Sequence, residues 1–150
     1  MNFICYLDLD GVLCNWEKAY SELSGKPLKE PGDVDWKLIE RAGVPFWSDL
    51  EWLPEGKQLW KALKEFKPTI LSSPSRHDGS RVGKRIWVRR ELGKSVPLIL
   101  ETDKYKYAKE GALLIDDTKK QIDKFKAHGG MGILHTSTED TLSQIARLAI

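Results

Sequence analysis

The fold of this chain is decided by residues 3–12, which read FICYLDLDGV. The first five of these residues are apolar without polar alternation. A run of this length is too short for a helix but typical of a strand that is covered on both faces in a parallel sheet. Two carboxylates, Asp8 and Asp10, follow the run, and Gly11 lets the chain turn sharply after them. Because ligands bind beyond the carboxyl ends of strands in open α/β sheets, the stretch predicts a buried first strand with an acidic binding site at its end.

Four more short apolar runs recur along the chain, separated by stretches with helical spacing. The runs cover residues 69–71, 96–100, 112–115 and 131–134. The stretches with helical spacing cover residues 16–23, 35–42, 54–66, 80–92, about 122–126 and 137–148. Strands that alternate with helices predict an α/β fold, here a three-layer, Rossmann-like arrangement around a five-stranded parallel sheet.

The region 14–52 interrupts this alternation and is unusually aromatic. It contains Trp16, Trp36, Phe46, Trp47 and Trp52. We expect residues 1–13 and 53–150 to form the main domain, and residues 14–52 to form a small helical cap inserted after the first strand. The alternative is that the aromatic side chains simply pack the insertion onto the main domain, since aromatic residues dominate ordinary cores.

Composition points to a soluble protein of one domain. The chain has 150 residues and a net charge of only +2, which does not favour nucleic-acid or membrane binding through bulk charge. Its two cysteines, Cys5 and Cys14, are too few for a disulfide framework and suit a reducing compartment. The amino terminus has no basic leader, so we expect a cytoplasmic protein. A run of basic residues is interpreted as the solvated face of a helix; it comprises Arg81, Lys84, Arg85, Arg89, Arg90 and Lys94.

A second acidic pair, Asp116 and Asp117, follows the apolar run 112–115. Together with Asp8 and Asp10, it predicts four carboxylates on one edge of the sheet. Oxygen ligands of this kind are the preferred ligands of Mg²⁺. Asp117 would also suit the amino-terminal cap of the next helix, and both roles can hold at once.

Hydroxyl and ammonium groups are predicted at the same edge. Ser72 and Ser73 follow the run 69–71 and offer donors for anionic oxygens. Lys104 precedes the fourth run and would add a positive charge near Asp8, although the spacing leaves Lys106 as an alternative.

In this order, the motifs resemble those of the haloacid dehalogenase-like phosphatase superfamily. The first motif is matched by residues 8–12, the second by Ser72, the third by Lys104 and the fourth by residues 116–117. The segments 46–54, 70–74, 84–88 and 113–117 look like the 5′(3′)-deoxyribonucleotidase branch, which has a small helical cap after the first motif.

The resemblance implies a role for each of these residues. Asp8 would be the nucleophile, and Asp10 the general acid and base. Mg²⁺ would be held by Asp8, the Asp10 carbonyl and Asp116, with support from Asp117. The phosphate would be bound by Ser72 and Lys104, with Ser73 and Lys84 as further contacts.

The expected function is that of an Mg²⁺-dependent phosphomonoester hydrolase that forms an aspartyl-phosphate. The resemblance favours nucleoside monophosphates as the small-molecule substrates. Three alternatives stay open: a phosphosugar substrate, a 3′-phosphate on a nucleic-acid end, or a binding protein without enzymatic activity.

Overall fold

The protein contains one parallel β-sheet. Its computed structural model describes residues 3–148, so the outermost residues of the predicted main domain, 1–2 and 149–150, lie outside the described part. The strands are β1 (Ile4–Leu7), β2 (Thr69–Ser72), β3 (Leu98–Leu100), β4 (Ala112–Asp116) and β5 (Met131–Leu134). They pair in the order β3-β2-β1-β4-β5, and every pair is parallel. The predicted five-stranded α/β fold is therefore confirmed.

Helices connect the strands. They are α1 (Trp16–Ser24), α2 (Trp36–Ala42), α3 (Val44–Ser48), α4 (Gly56–Leu63), α5 (Asp78–Glu91), α6 (Lys119–Ala127) and α7 (Thr138–Leu148). The short helix α3 was not predicted; it starts directly after Gly43, with Pro45 in its first turn, where the missing amide hydrogen costs nothing. The predicted helix 54–66 is shorter than expected, because the chain tightens into a 3₁₀ turn after Leu63. Within residues 3–148, no helix combines the length and apolar character needed to cross a membrane.

Side chains alternate between the two faces of the sheet and create two hydrophobic layers. On one face, Cys5 and Leu7 of β1 belong to the larger core, which includes Leu59 of α4, Trp87 of α5 and Ile145 of α7. On the other face lies a smaller cluster, formed by Tyr6, Leu71, Ala112, Leu114, Ile122 and Phe125. The sheet is thus covered on both sides, as its nearly continuous apolar strands predict.

Helix α5 buries only some of the apolar residues along the predicted helix 80–92; Val88 is buried, as predicted. Val82 and Ile86 belong to the apolar stripe of the predicted helix, yet they are 47% and 42% exposed. The buried side carries Lys84 and Trp87 instead, and the Trp87 indole donates a hydrogen bond to the Leu50 carbonyl at 2.8 Å. The other residues of the basic run, Arg81, Arg85, Arg89, Arg90 and Lys94, are exposed. Lys84 differs from them because it has polar partners inside the protein, described below.

The segment 14–52 leaves and rejoins the main domain at one point. Cys14 forms a bridge with Asp10 on one side and with Trp52 on the other. Helix α3 packs directly on α5, and both Phe46 and Trp47 belong to the large core. At this end of the segment, the aromatic side chains therefore pack it onto the main domain.

The sheet order places the carboxyl ends of three central strands side by side. The chain moves outward from β1 to β2 and β3, and then returns to the other side of β1 with β4. Ligands bind at such reversals of strand order. The edge next to β1 is accordingly the place where the predicted site residues can meet.

Candidate active site

A buried lysine joins two of the predicted carboxylates. The register pairs Leu7 with Ile115, so the next residues, Asp8 and Asp116, lie beside each other. The Lys104 ammonium donates to Asp8 Oδ1 at 2.9 Å and to Asp116 Oδ2 at 2.7 Å. Burial by itself would lower the pKa of Lys104, but the charges of Asp8 and Asp116 outweigh burial and raise it. The side chain is therefore a fixed positive charge between the ends of β1 and β4.

The structure separates the two candidate lysines. Lys104 starts a 3₁₀ turn that points its side chain inward, where it is 2% exposed. Lys106 lies on the outside of the same turn, with its side chain 53% exposed and paired with Glu101 at 3.1 Å. Only Lys104 contacts Asp8.

Three carboxylates form a cluster that suits a metal ion. Asp8, Asp116 and Asp117 each offer an oxygen, and these oxygens lie within 4.8 Å of one another. A Cβ atom added to Gly11 would lie 2.0 Å from Asp117 Oδ2, so only glycine allows the carboxylate to lie this close to the turn after β1. The Thr118 amide donates to Asp116 Oδ1 at 2.9 Å and fixes the orientation of that carboxylate.

The electrostatics of the cluster favour a divalent cation. Burial raises the pKa of Asp8, and Lys104 opposes that rise only in part. Burial and the neighbouring Asp116 raise the pKa of Asp117 to about 6. In fully ionised form, the four predicted carboxylates form ion pairs within residues 3–148 only with the ammonium groups of Lys84 and Lys104, which leaves two negative charges. All-oxygen ligands with this excess charge fit Mg²⁺.

Lys84 occupies a second buried position next to the cluster. Its ammonium donates to Ser72 Oγ at 2.6 Å, to Asp10 Oδ2 at 2.9 Å and to the Ser73 carbonyl at 2.9 Å. The same ammonium lies 5.2 Å from the centre of the Trp47 ring. Asp10 Oδ1, in contrast, is buried and has no hydrogen-bond partner among the described residues.

The carboxylates of the cluster, together with Asp10, Ser72 and Lys104, line one side of a cleft of about 570 Å³. Its other side is formed by residues of the segment 14–52, among them Trp16, Leu28 and Trp36. The Trp16 ring stacks on Tyr20 with 5.3 Å between ring centres and 8° between planes, which holds it in one orientation. The cleft therefore combines a polar, charged floor with a rigid aromatic wall.

All eight predicted site residues lie at this edge of the sheet, and seven of them line the cleft. The seven are Asp8, Asp10, Ser72, Ser73, Lys104, Asp116 and Asp117. The eighth, Lys84, is buried behind Ser72 and Asp10. Trp47, predicted only as one of the aromatic residues of the cap, also lines the cleft. A possible signal was Gly83, a glycine in the middle of a predicted helix, since such a residue often marks a close packing contact.

Comparison with known proteins identifies the fold. No protein-family model matches the sequence, and no curated protein is similar enough to match. Among solved structures, a hydrolase from Streptococcus pneumoniae TIGR4 aligns over 100% of both chains, with 14% identity and a TM-score of 0.54. L-2-haloacid dehalogenase from Xanthobacter autotrophicus aligns over 97% of this chain and 83% of its own, with 12% identity and a TM-score of 0.55. A haloacid dehalogenase-like family hydrolase from Streptococcus pneumoniae covers 87% and 83%, with 11% identity and a TM-score of 0.52.

The fold is that of the haloacid dehalogenase-like hydrolases. At such low identity, the similarity establishes the architecture and not the reaction.

Proposed function

We propose that this protein is an Mg²⁺-dependent hydrolase of phosphate monoesters that forms an aspartyl-phosphate on Asp8. One observation carries the proposal. The carboxylates of Asp8, Asp116 and Asp117 meet at the carboxyl edge of the sheet, where Lys104 bridges the first two. A nucleophilic carboxylate can approach an anionic phosphate only if nearby positive charge offsets their repulsion.

In the first step, an oxygen of Asp8 attacks phosphorus and the bond to the ester oxygen breaks. Asp10 gives a proton to the departing alkoxide, which leaves as an alcohol. Mg²⁺, held by Asp8, the Asp10 carbonyl and Asp116 with support from Asp117, would supply charge neutralisation for the phosphoryl oxygens. Lys104 stays in contact with Asp8 and Asp116 and keeps the nucleophile oriented.

In the second step, Asp10 takes a proton from water, which attacks phosphorus and releases Asp8 and inorganic phosphate. Ser72 suits a contact to the phosphoryl oxygens. Its oxygen accepts a hydrogen bond from Lys84, so its own hydroxyl hydrogen is free to be donated. Ser73 lines the cleft next to it, within reach of the same oxygens.

The similarity to a haloacid dehalogenase raises a second possible chemistry, displacement of halide by a carboxylate. Halide leaves without a proton and carries away its own negative charge. That reaction needs no general acid, so it leaves Asp10 only the activation of water, and it gives no task to a metal held by Asp116 and Asp117. The acid cluster therefore favours phosphate esters over haloacids.

The aromatic wall of the cleft favours nucleoside monophosphates, as does the resemblance to the 5′(3′)-deoxyribonucleotidase branch. Trp16 and Trp36 lie 6.0 Å apart between ring centres, and both line the cleft above the carboxylates. A nucleobase stacked on an aromatic side chain gains roughly 1–3 kcal/mol. In this proposal the segment 14–52 acts as a cap, and the partner is a small molecule and not a polynucleotide. The reduced, buried thiols of Cys5 and Cys14 suit a cytoplasmic location.

Phosphate release tests the proposal. The panel contains 5′- and 3′-deoxynucleoside monophosphates, ribonucleotides, sugar phosphates and a 3′-phosphorylated oligonucleotide, each with Mg²⁺ and with EDTA. We expect Mg²⁺-dependent release that is greatest with deoxynucleotides and absent in Asp8→Asn. Release from sugar phosphates alone would retain the chemistry and reject the nucleotide. Release from the oligonucleotide alone would favour a nucleic-acid end, and full activity in Asp8→Asn would exclude the aspartyl-phosphate.

A further inference from the structure

We propose that Lys84 is a positioning residue that holds Asp10 for proton transfer and has no direct contact with the substrate phosphate. This inference rests on the proposed function, because it concerns the acid and base of that reaction. It changes the role that the sequence resemblance implies for Lys84. Helix α5 supplies this lysine, 74 residues along the chain from Asp10.

The hydrogen bonds of Lys84 argue against a phosphate contact. An ammonium group has three donors and no acceptor. Lys84 directs one donor each to Asp10, Ser72 and the Ser73 carbonyl. Its side chain is 1% exposed and is absent from the lining of the cleft. No donor of Lys84 remains for a phosphate oxygen. Lys104, in contrast, lines the cleft, where the phosphate would bind.

The contact with Asp10 distinguishes the two oxygens of that carboxylate. Oδ2 accepts from the Lys84 ammonium, which fixes the rotation of the carboxylate. Oδ1 is buried without a partner among the described residues, although Asp10 itself lines the cleft. Because Oδ1 is buried, the oxygen that can exchange protons with the leaving group and with water is Oδ2, and Lys84 holds it in position.

Packing from the segment 14–52 keeps Lys84 in place. The Trp47 ring covers its ammonium at 5.2 Å. Trp47 can come this close because residue 83 is glycine; a Cβ atom there would lie 2.5 Å from Trp47 Cβ. A desolvated cation close to an aromatic ring and a carboxylate has little freedom to move. Lys84 thus links the packing of helix α3 to the orientation of Asp10.

Leaving-group dependence tests this role. The substrates are 4-nitrophenyl phosphate, whose leaving group departs without a proton, and a nucleoside monophosphate or alkyl phosphate, whose alkoxide needs one. The variants are Lys84→Met, Lys104→Met and, as a matched control on the exposed side of α5, Arg85→Met. Lys84→Met keeps an unbranched, flexible side chain, slightly shorter than that of lysine, and removes its charge. Circular dichroism and Tm confirm that each variant is folded.

We expect Lys84→Met to lower kcat/KM for the alkyl ester, which reports the first step, by about 10²–10³-fold, within the range of general acid catalysis. For 4-nitrophenyl phosphate, we expect a loss in kcat/KM below roughly tenfold, while kcat falls for both esters because they share the hydrolysis of the aspartyl-phosphate by Asp10. Lys104→Met should impair both esters alike, and Arg85→Met neither. If Lys84→Met does not fold, Lys84→Arg takes its place, because a planar guanidinium retains the charge but cannot reproduce the three-point contact.

The outcomes separate the two proposals. Equal losses in kcat/KM for both esters would show that Lys84 binds phosphate and would overturn its positioning role. In that case the proposed function would stand. A wild-type protein that releases phosphate from neither ester would overturn the proposed function, and the role of Lys84 along with it.

Discussion

The contact between α3 and α5 predicts whether alanine at position 83 raises or lowers the free energy of unfolding. Replacing Gly83 by alanine in the middle of a helix should stabilise the protein by about 1 kcal/mol if helix propensity alone decided the result. The structure predicts the opposite. The new Cβ atom would lie 2.5 Å from Trp47 Cβ, 2.9 Å from the Val44 carbonyl oxygen and 3.0 Å from the Ser48 amide nitrogen. Two of these atoms are backbone and the third is bonded directly to it, so no flexible side-chain end can move aside.

The magnitude follows from the cost of overpacking. Forcing a methyl group into such a contact costs typically 1–3 kcal/mol, and the rigid neighbours place this site near the upper end. After the gain in helix propensity is subtracted, we expect Gly83→Ala to lower the free energy of unfolding by about 1–2 kcal/mol. With an unfolding entropy of about 2.1 cal/mol/K per residue over the 150 residues, Tm should fall by roughly 3–6 °C.

Thermal and urea denaturation measure the effect. Gly32→Ala is the matched control, since beyond its chain neighbours no atom of the described residues lies within 4 Å of a Cβ atom at that position, and its φ is not positive. Its stability should change little. A Gly83→Ala variant as stable as the wild type or more so would refute the contact between α3 and α5. Because that contact also holds Trp47 against Lys84, the variant should lose activity on alkyl phosphates more than on 4-nitrophenyl phosphate.

Three further predictions concern the charged cluster and the thiols. Lys104→Met should lower kcat by about 10²–10³-fold, as expected for loss of one electrostatic donor. Lys106→Met, at an exposed position, should leave kcat almost unchanged in the same assay. Equal effects of the two substitutions would contradict the inward position of Lys104. Mg²⁺ at a hundredfold excess over its Kd should stabilise the folded protein by about 2.7 kcal/mol, which a thermal shift assay measures. If Asp117→Asn showed a thermal shift of the same size, Asp117 would not be a metal ligand. Burial raises the pKa of Cys5 to about 12, and burial also raises the pKa of Cys14, so native protein should resist thiol reagents that label both cysteines in urea. Rapid labelling of the folded protein would show that the core is open.

The sequence alone determined the architecture and most of the acidic edge. Short apolar runs without polar alternation indicate strands covered on both faces, and the structure contains five such strands in parallel. Asp8 and Asp116 lie together because each follows a buried run, and the carboxyl ends of parallel strands share one edge of the sheet. These inferences need only local patterns and the geometry of parallel pairing.

Tertiary structure alone decided which cations belong to the site. Lys104 and Lys106 are equivalent in local sequence, and only the 3₁₀ turn directs one inward and the other to solvent. From polarity alone, Ile86 would be buried and Lys84 exposed. The structure shows the reverse, because the hydrogen-bond partners of Lys84 come from two distant strand ends. Burying a charge is unfavourable unless partners compensate it, and partners 12 and 74 residues away in sequence are brought near only by the folded sheet.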